Sequence, residues 1–427
     1  MESEGGSVLI LIFTLLELTR SMAVDIALKN NLTLRAEKIE VEAKRVGIDQ
    51  SYASIYPQVN LSAGYSYLSP IPVMKFQLVP NQPEVEIPMG RSRNYSLGAS
   101  LTQPLFTWGN LYRLVKISKL GYHIQKTSFL RKRQELIRNV KNGFDNCLLA
   151  REFLNLLRQS HDRLSRYHRI IKTRYEAGLV PRYDLLRTEA ELAQNEASII
   201  EAENNLRLAL DGLKMLLNIE DEIRPVGEIE YRKLDITLDS ALTFALKHRP
   251  EMKGLLLSYR MAEIGFRSSI FNLLPAAFGM VNYEYKRPYQ FTEEKWGGSW
   301  VFSVGISWPI FSGFKKKTDI AKARMELKKA RLGCEFLKEA IRFEAKSAYL
   351  KLKKAEAMIE AQEKVLKQAD KTRKMIEERY QNGLAKSIEL LDGELVYSRA
   401  KIGFLKARIE YDQAFNDLML ALGKEER

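Results

Sequence analysis

The sequence is poor in almost everything that site chemistry draws on. Two cysteines stand in 427 residues, Cys147 and Cys334, far apart and each inside a helical pattern. That excludes a disulfide framework and any zinc-ligand spacing. The chain carries no glycine-rich phosphate loop, no His-Glu-x-x-His, no Cys-x-x-Cys and no Gly-x-Ser-x-Gly elbow. Gly423-Lys424 is followed by Glu425 and lacks its partner glycine. Neither catalysis nor a cofactor is expected from such a chain. Long apolar runs are scarce as well. Val8 to Leu16 is too short to span a bilayer as a helix, yet it has the length of a secretory-signal core, so residues 1–17 are a candidate signal segment. The flank Met1-Glu2-Ser3-Glu4 is acidic where a signal carries Lys or Arg. No cysteine lies near the run, so a lipid anchor is not expected.

The charge is abundant but evenly mixed. Lysine and arginine number 67 against 53 acids, a formal net charge of +14. A nucleic-acid partner would favour basic residues clustered with stacking aromatics or a Cys/His finger, and neither is present. Instead the basic residues alternate with acids along helices, as Lys364 and Lys367 do beside Glu360 and Glu363. A solvated helix face explains that pattern, and no nucleic-acid partner is expected.

The chain repeats itself. A shift of 218 brings Ala27-Leu28-Lys29 onto Ala245-Leu246-Lys247, Pro57 onto Pro275, and Tyr65 and Tyr67 onto Tyr283 and Tyr285. Further along the shift becomes 205, which brings Pro104-Leu105-Phe106 onto Pro309-Ile310-Phe311. The 13 residues by which the shifts differ lie between two strand-like segments, where the first half has the longer, proline-rich loop Ser69 to Arg93. The organisation expected is a first repeat over 18–218, a linker over 219–237 and a second repeat over 238–427.

Each repeat opens with two segments of period-two alternation, at 58–67 and 94–103 and again at 276–286 and 299–308. Val59, Leu61, Ala63, Tyr65 and Tyr67 alternate with polar or small residues. Trp300, Phe302, Val304, Ile306 and Trp308 do so most boldly, and the segment from Ala276 is the weakest. One apolar, aromatic-rimmed face over about ten residues suits a lipid-facing barrel strand, although a half-buried soluble hairpin alternates in the same way. Flanking prolines (Pro57, Pro104, Pro275, Pro309) suit a handover between helix and strand, because proline lacks the ladder donor. Four strands cannot close a barrel, and open edges are not tolerated in lipid. Membrane-spanning strands would have to be pooled from several chains.

The rest of each repeat reads as a long helical hairpin, over 109–218 and 313–423. From Ile341 a four-three spacing runs through Ala345, Ala348, Leu352, Ala355, Ile359, Gln362, Leu366, Ala369, Arg373 and Ile376 to Tyr380. The matching line in the first repeat runs from Leu136 through Cys147, His161 and His168 to Tyr175. Such a seam predicts coiled-coil packing in rods of about 100 Å. Cys147 reads as core filling. His161 and His168 lie one heptad apart and read as a polar stretch of the seam, with no metal expected. At the two reversals Arg174-Tyr175-x-x-Gly178-Leu179 mirrors Arg379-Tyr380-x-x-Gly383-Leu384. Glycine there ends one helix in a left-handed cap, and Pro181 or Ser387 opens the next.

With its duplication, its strand pairs with Pro-x-Phe exits and its paired Arg-Tyr-x-x-Gly-Leu turns, the chain resembles the TolC-type outer-membrane efflux and secretion channels from about Leu18 to Gly423. The fold this implies is mainly α with a small β part: a homotrimer with a twelve-stranded β-barrel on an α-helical tunnel, and a belt around the tunnel from Asn218–Leu238 and the chain ends. The function implied is a passive exit duct of a tripartite efflux pump or type I secretion system, in the outer membrane of a Gram-negative-type bacterium with its tunnel in the periplasm. Partners implied are a periplasmic adapter, an inner-membrane RND or ABC transporter, and outer-membrane lipid. By the resemblance, the adapter docks at Gly178, Leu179, Gly383 and Leu384. Glu389 and Asp392 form acidic rings that narrow the tip, and Asp184 and Tyr380 belong to a closing latch. The latch's basic member falls on Ala385 here, beside Lys386. Without the resemblance, Glu389 and Asp392 are two exposed acids on one helix face. The alternative function is a soluble periplasmic coiled-coil scaffold or adapter without a pore.

Overall fold

In a computed structural model, residues 16–77, 83–227, 234–290 and 293–425 are described. The candidate signal run lies almost wholly outside them. In chain order the elements are β1 (Leu16–Leu18), α1 (Arg20–Asn30), α2 (Leu32–Ala53), β2 (Gln58–Tyr67), β3 (Val73–Phe76), β4 (Val85–Pro88) and β5 (Arg93–Phe106). Then follow α3 (Asn110–Glu176), α4 (Arg182–Leu217), β6 (Ile223–Pro225), α5 (Leu238–His248) and α6 (Pro250–Phe271). The remainder is β7 (Ala276–Arg287), β8 (Gly297–Ser307), α7 (Lys315–Gln381) and α8 (Ser387–Leu422). The chain divides into a unit of residues 1–40, 126–254 and 335–427 and a unit of residues 41–125 and 255–334.

In the first unit the duplication is repeated in the packing. Thr19 caps α1 by accepting the Met22 amide, and Thr237, its counterpart, caps α5 by accepting the Ser240 amide. One buried cluster joins Ala23, Ala27, Leu34, Leu136, Val140, Leu213 and Leu217. The other joins Ala241, Ala245, Met252, Ile341, Ala345, Leu418 and Leu422, the same positions under the same two shifts. Small residues at the α1 and α5 positions let these short helices lie close against the rods. The buried residues of α7 are Ile341, Ala345, Ala348, Leu352, Ala355, Ile359, Ala369 and Tyr380, every one on the four-three seam. Cys147 is buried on the matching line of α3, where burial pushes its thiol up to about 12. β1 and β6 pair in parallel, from Leu16 beside Ile223 to Leu18 beside Pro225.

The second unit holds one antiparallel sheet in the order β2-β5-β7-β8. Its register lines up what the single strands only suggest. Val59, Leu101, Val281 and Phe302 form one cross-sheet row and Leu61, Ala99, Tyr283 and Trp300 another, all on one face. The opposite face has rows such as Ser62, Gly98, Glu284 and Ser299. The weak segment from Ala276 is therefore an inner strand that completes both faces. Aromatic pairs reinforce the apolar one, with Tyr65 and Tyr95 rings 5.1 Å apart and Tyr283 and Trp300 4.6 Å apart. Glu284 and Lys286 pair at 3.0 Å on the polar face. The loop from Ser69 to Arg93 contains more than turns, since β3 and β4 pair within it as a small hairpin. Among the described residues no helix is long and apolar enough to cross a membrane.

Candidate functional site at the two helix reversals

Both reversals are built alike, for a reason visible in the backbone. At the end of α3 the Gly178 amide donates to the Tyr175 carbonyl and the Leu179 amide to the Arg174 carbonyl; at the end of α7, Gly383 and Leu384 do the same to Tyr380 and Arg379. This double closure needs a left-handed residue, and Gly178 and Gly383 have φ of 72° and 73°. It leaves Leu179 and Leu384 exposed at the apex of each turn. Behind the turns a cluster of Leu164, Tyr167, Ile171, Tyr380, Leu390 and Leu391 fixes α3, α7 and α8 together, with Leu185 and Leu192 of α4 against it.

The other tip residues have distinct settings. Glu389 is exposed, and its carboxylate accepts the Lys386 amide at 3.1 Å, capping the start of α8. Ser387 does not cap; its hydroxyl lies 3.3 Å from that of Tyr380, which is buried. The Arg174 guanidinium lies 4.4 Å from the Tyr380 ring centre and donates to the Tyr380 carbonyl. Tyr380 is thus held by Ser387 and Arg174, and the structure does not bring its hydroxyl to Asp184. Asp392 pairs with Arg187 at 3.1 Å. A hydrogen bond with Tyr183, and then the neighbouring Asp392, raise the Arg187 pKa.

Arg187 is the residue the sequence reading passed over, although a signal was there. The 205 shift that carries Asp184 onto Glu389 carries Arg187 onto Asp392. Position for position, the first repeat supplies a cation where the second supplies an acid, and the two meet.

A second overlooked group lies farther up the helices. Glu394, 2 % exposed, accepts both Arg163 hydrogen bonds from Nε at 2.8 Å and is reached by Ser160 Oγ at 3.1 Å. Tyr397 is flanked by two guanidinium groups, Arg163 at 5.5 Å and Arg373 at 4.8 Å. Burial, with Glu377 and Glu394 nearby, pushes the Tyr167 phenol up to about 12. The first repeat has a looser counterpart, His168 beside Glu189 at 3.5 Å, with His161 beside Glu196 at 3.3 Å. His161 also has Asp162 at 4.0 Å from its other ring nitrogen. Among the described residues no three metal-ligating side chains come together.

Residues 23–218 and 242–424 match the family described as outer membrane efflux protein. The chain is 24 % identical over 379 residues to the probable outer membrane lipoprotein SilC of Salmonella typhimurium, covering 86 % of this chain and 77 % of SilC. Its fold is similar to that of the CmeC outer membrane channel of Campylobacter jejuni, with a TM-score of 0.80, 18 % identity, and 95 % and 85 % of the two chains covered. The open state of the MtrE outer membrane channel of Neisseria gonorrhoeae gives a TM-score of 0.76 at 18 % identity, with 95 % and 89 % covered.

Proposed function

This chain belongs to the outer membrane efflux protein family, and on that premise we propose that it is the passive exit duct of a tripartite efflux pump or type I secretion system. Small molecules or proteins would leave through it across the periplasm and the outer membrane. The observation that carries the reading is the sheet β2-β5-β7-β8. One face is apolar in cross-strand rows, the other polar, and among the described residues both outer strands have a free edge. Water penalises such an apolar face and lipid does not. That counts against a soluble scaffold without a pore.

The free edges and the duplication together say what covers them. β5, in the first repeat, pairs with β7, in the second; β8 and β2 are their counterparts under the two shifts and are the strands left open. The same holds for the rods. α3 packs on α8 within the chain, through Arg163 with Glu394 and Asn142 with Asn416. The equivalent contact would set α7 of one copy against α4 of the next. Both of those faces are open and apolar. Leu350, Met358 and Val365 on α7, and Met215, Leu208 and Ile200 on α4, are exposed. The pairing of Asn146 with Gln413 and of Asn142 with Asn416, carried over by the shift, puts Leu350 level with Leu208 and Met358 with Ile200. A ring of copies joined through both contacts closes the sheet and the tunnel at once, and the family's trimer is the ring we assign, its barrel facing outer-membrane lipid.

At the tip, Gly178, Leu179, Gly383 and Leu384 are the surface we assign to the periplasmic adapter, through which an RND or ABC transporter of the inner membrane would act. Glu389 and Asp392 are the acids we assign to the constriction, with Asp184 and Tyr380 beside it; Arg187 offsets Asp392 until it moves. Membrane fractionation with planar-bilayer recording tests the reading. Outer-membrane recovery of a trimer with stepwise conductance is expected. A water-soluble monomer without conductance would overturn it.

A further inference from the structure

One recess in the rod unit lies outside everything assigned so far. It has a volume of about 300 Å³ and is lined by α3, α4 and α8. Its wall is apolar, with Leu149 and Phe153 from α3, Ala209 from α4, and Ile402 and Leu405 from α8. Its rim is polar and short of partners. Among the described residues Lys406 has no ion-pair partner and the Asn205 carboxamide no hydrogen bond, while Asn146 uses its carbonyl oxygen on Gln413 at 2.8 Å and keeps its amino group free. No acid lines the recess.

We propose that this recess binds an anionic amphiphile, an alkyl or aryl chain ending in a carboxylate, with the chain against Leu149, Phe153 and Leu405 and the head at Lys406. An apolar pocket of this volume with a few convergent polar groups is the usual form of a small-molecule site. At roughly the 30 Å³ that a water occupies in the liquid, it holds on the order of ten carbon-sized groups, a medium-length chain. The unpaired ammonium selects the charge of the head, and the Asn146 and Asn205 amino groups donate to its oxygens. Lys406 stands two heptads from Asp392 on α8, and Asn205 stands five helical turns from Arg187 on α4. The recess therefore opens on the faces that carry the tip ion pair. If the pore role assigned to Asp392 holds, the site lines the tunnel and names a class of cargo; the binding itself does not depend on that role.

The test uses the full-length protein in lipid nanodiscs, titrated with a fluorescent dansyl fatty acid, its methyl ester and a dansyl alkylamine of equal length. Empty nanodiscs serve as the blank, and circular dichroism checks that each variant is folded. Saturable binding of the acid above the blank is expected, with the ester weaker. Lys406→Glu should weaken the acid about tenfold, as loss of one charge-assisted contact does, and favour the amine. Asn205→Trp, which places a ring over the rim, should abolish binding of the acid. Binding equal to the blank, or binding indifferent to both substitutions, overturns the proposal. Conductance recorded on the same preparation separates the two readings, because absence of pores with binding intact would strike only the proposed duct.

Discussion

The long helices α3 and α7 descend from one ancestral rod, both 67 residues long, yet their second faces have opposite characters. On α3 that face is polar and closed, with Asp145 and Ser160 buried against α8. On α7 the same positions are Leu350 and Val365, apolar and open. A face satisfied within the chain can use charge and hydrogen bonds, because its partner is present from the start of folding. A face that must wait for another copy is built of groups water tolerates at a modest penalty and a partner can cover. The repeats thus diverged according to which contact is internal.

The largest effect should come from spoiling only the open face. Phe343, 76 % exposed, becomes Asp in F343D. We expect the protomer to fold with a stability change of no more than about 0.5 kcal/mol, as at an uninvolved surface site. Trimers should nevertheless vanish from chemical cross-linking and mass measurement. Trimers formed as usual would show that α7 does not face another copy.

Next comes the closed face. Glu394→Ala removes the buried partner of the largely covered Arg163 and should cost about 3 kcal/mol in denaturant unfolding. The equivalent change in the first repeat, Glu189→Ala, removes a half-exposed partner of His168 and should cost no more than about 1 kcal/mol. Equal losses would erase the distinction between the repeats.

Acidity distinguishes them too. Burial first, with Asp412 adding to it against the pull of Arg20, raises Asp145 from 3.8 to about 8. The folded chain therefore holds a proton that the unfolded chain releases, and stability is greatest below the unfolded value. It falls as pH rises from about 4 to about 8 and then levels. Asp145→Asn should flatten that slope in denaturant midpoints measured across the range. The counterpart Leu350 titrates nothing, so a slope that persists in the variant must arise elsewhere.

The smallest effect concerns the tip. Arg187→Gln releases Asp392 from its ion pair and should raise cation over anion permeability in bilayer reversal potentials, whereas Asp392→Asn and Glu389→Gln should lower it. Unchanged selectivity in all three would remove these residues from the pore.

Much of this was legible in the residues, because it was local and periodic. The alternation from Trp300 to Trp308 and the spacing from Ile341 to Tyr380 each repeat a short-range geometric rule, and a rule repeated along a strand or helix survives without knowledge of the partner. Gly178 and Gly383 were legible in the same way, since the left-handed turn constrains one residue type. The face of the strand from Ala276 was not, because its own alternation is weak and only the register beside Leu101 and Phe302 restores it. The β3–β4 hairpin hid in what reads as a proline-rich loop.

Sequence by itself determined the duplication, the strand and rod pattern and the seam, since each is a matter of residues near one another in the chain. Only the tertiary structure decided which duplicated positions meet. Arg163 reaches Glu394 across 231 residues, and Arg187 reaches Asp392 across 205. A charge in the sequence states its sign but not its neighbour. Burial and pairing, which decide whether that charge is a staple, a filter or a solvated surface group, arise only when distant helices are brought side by side.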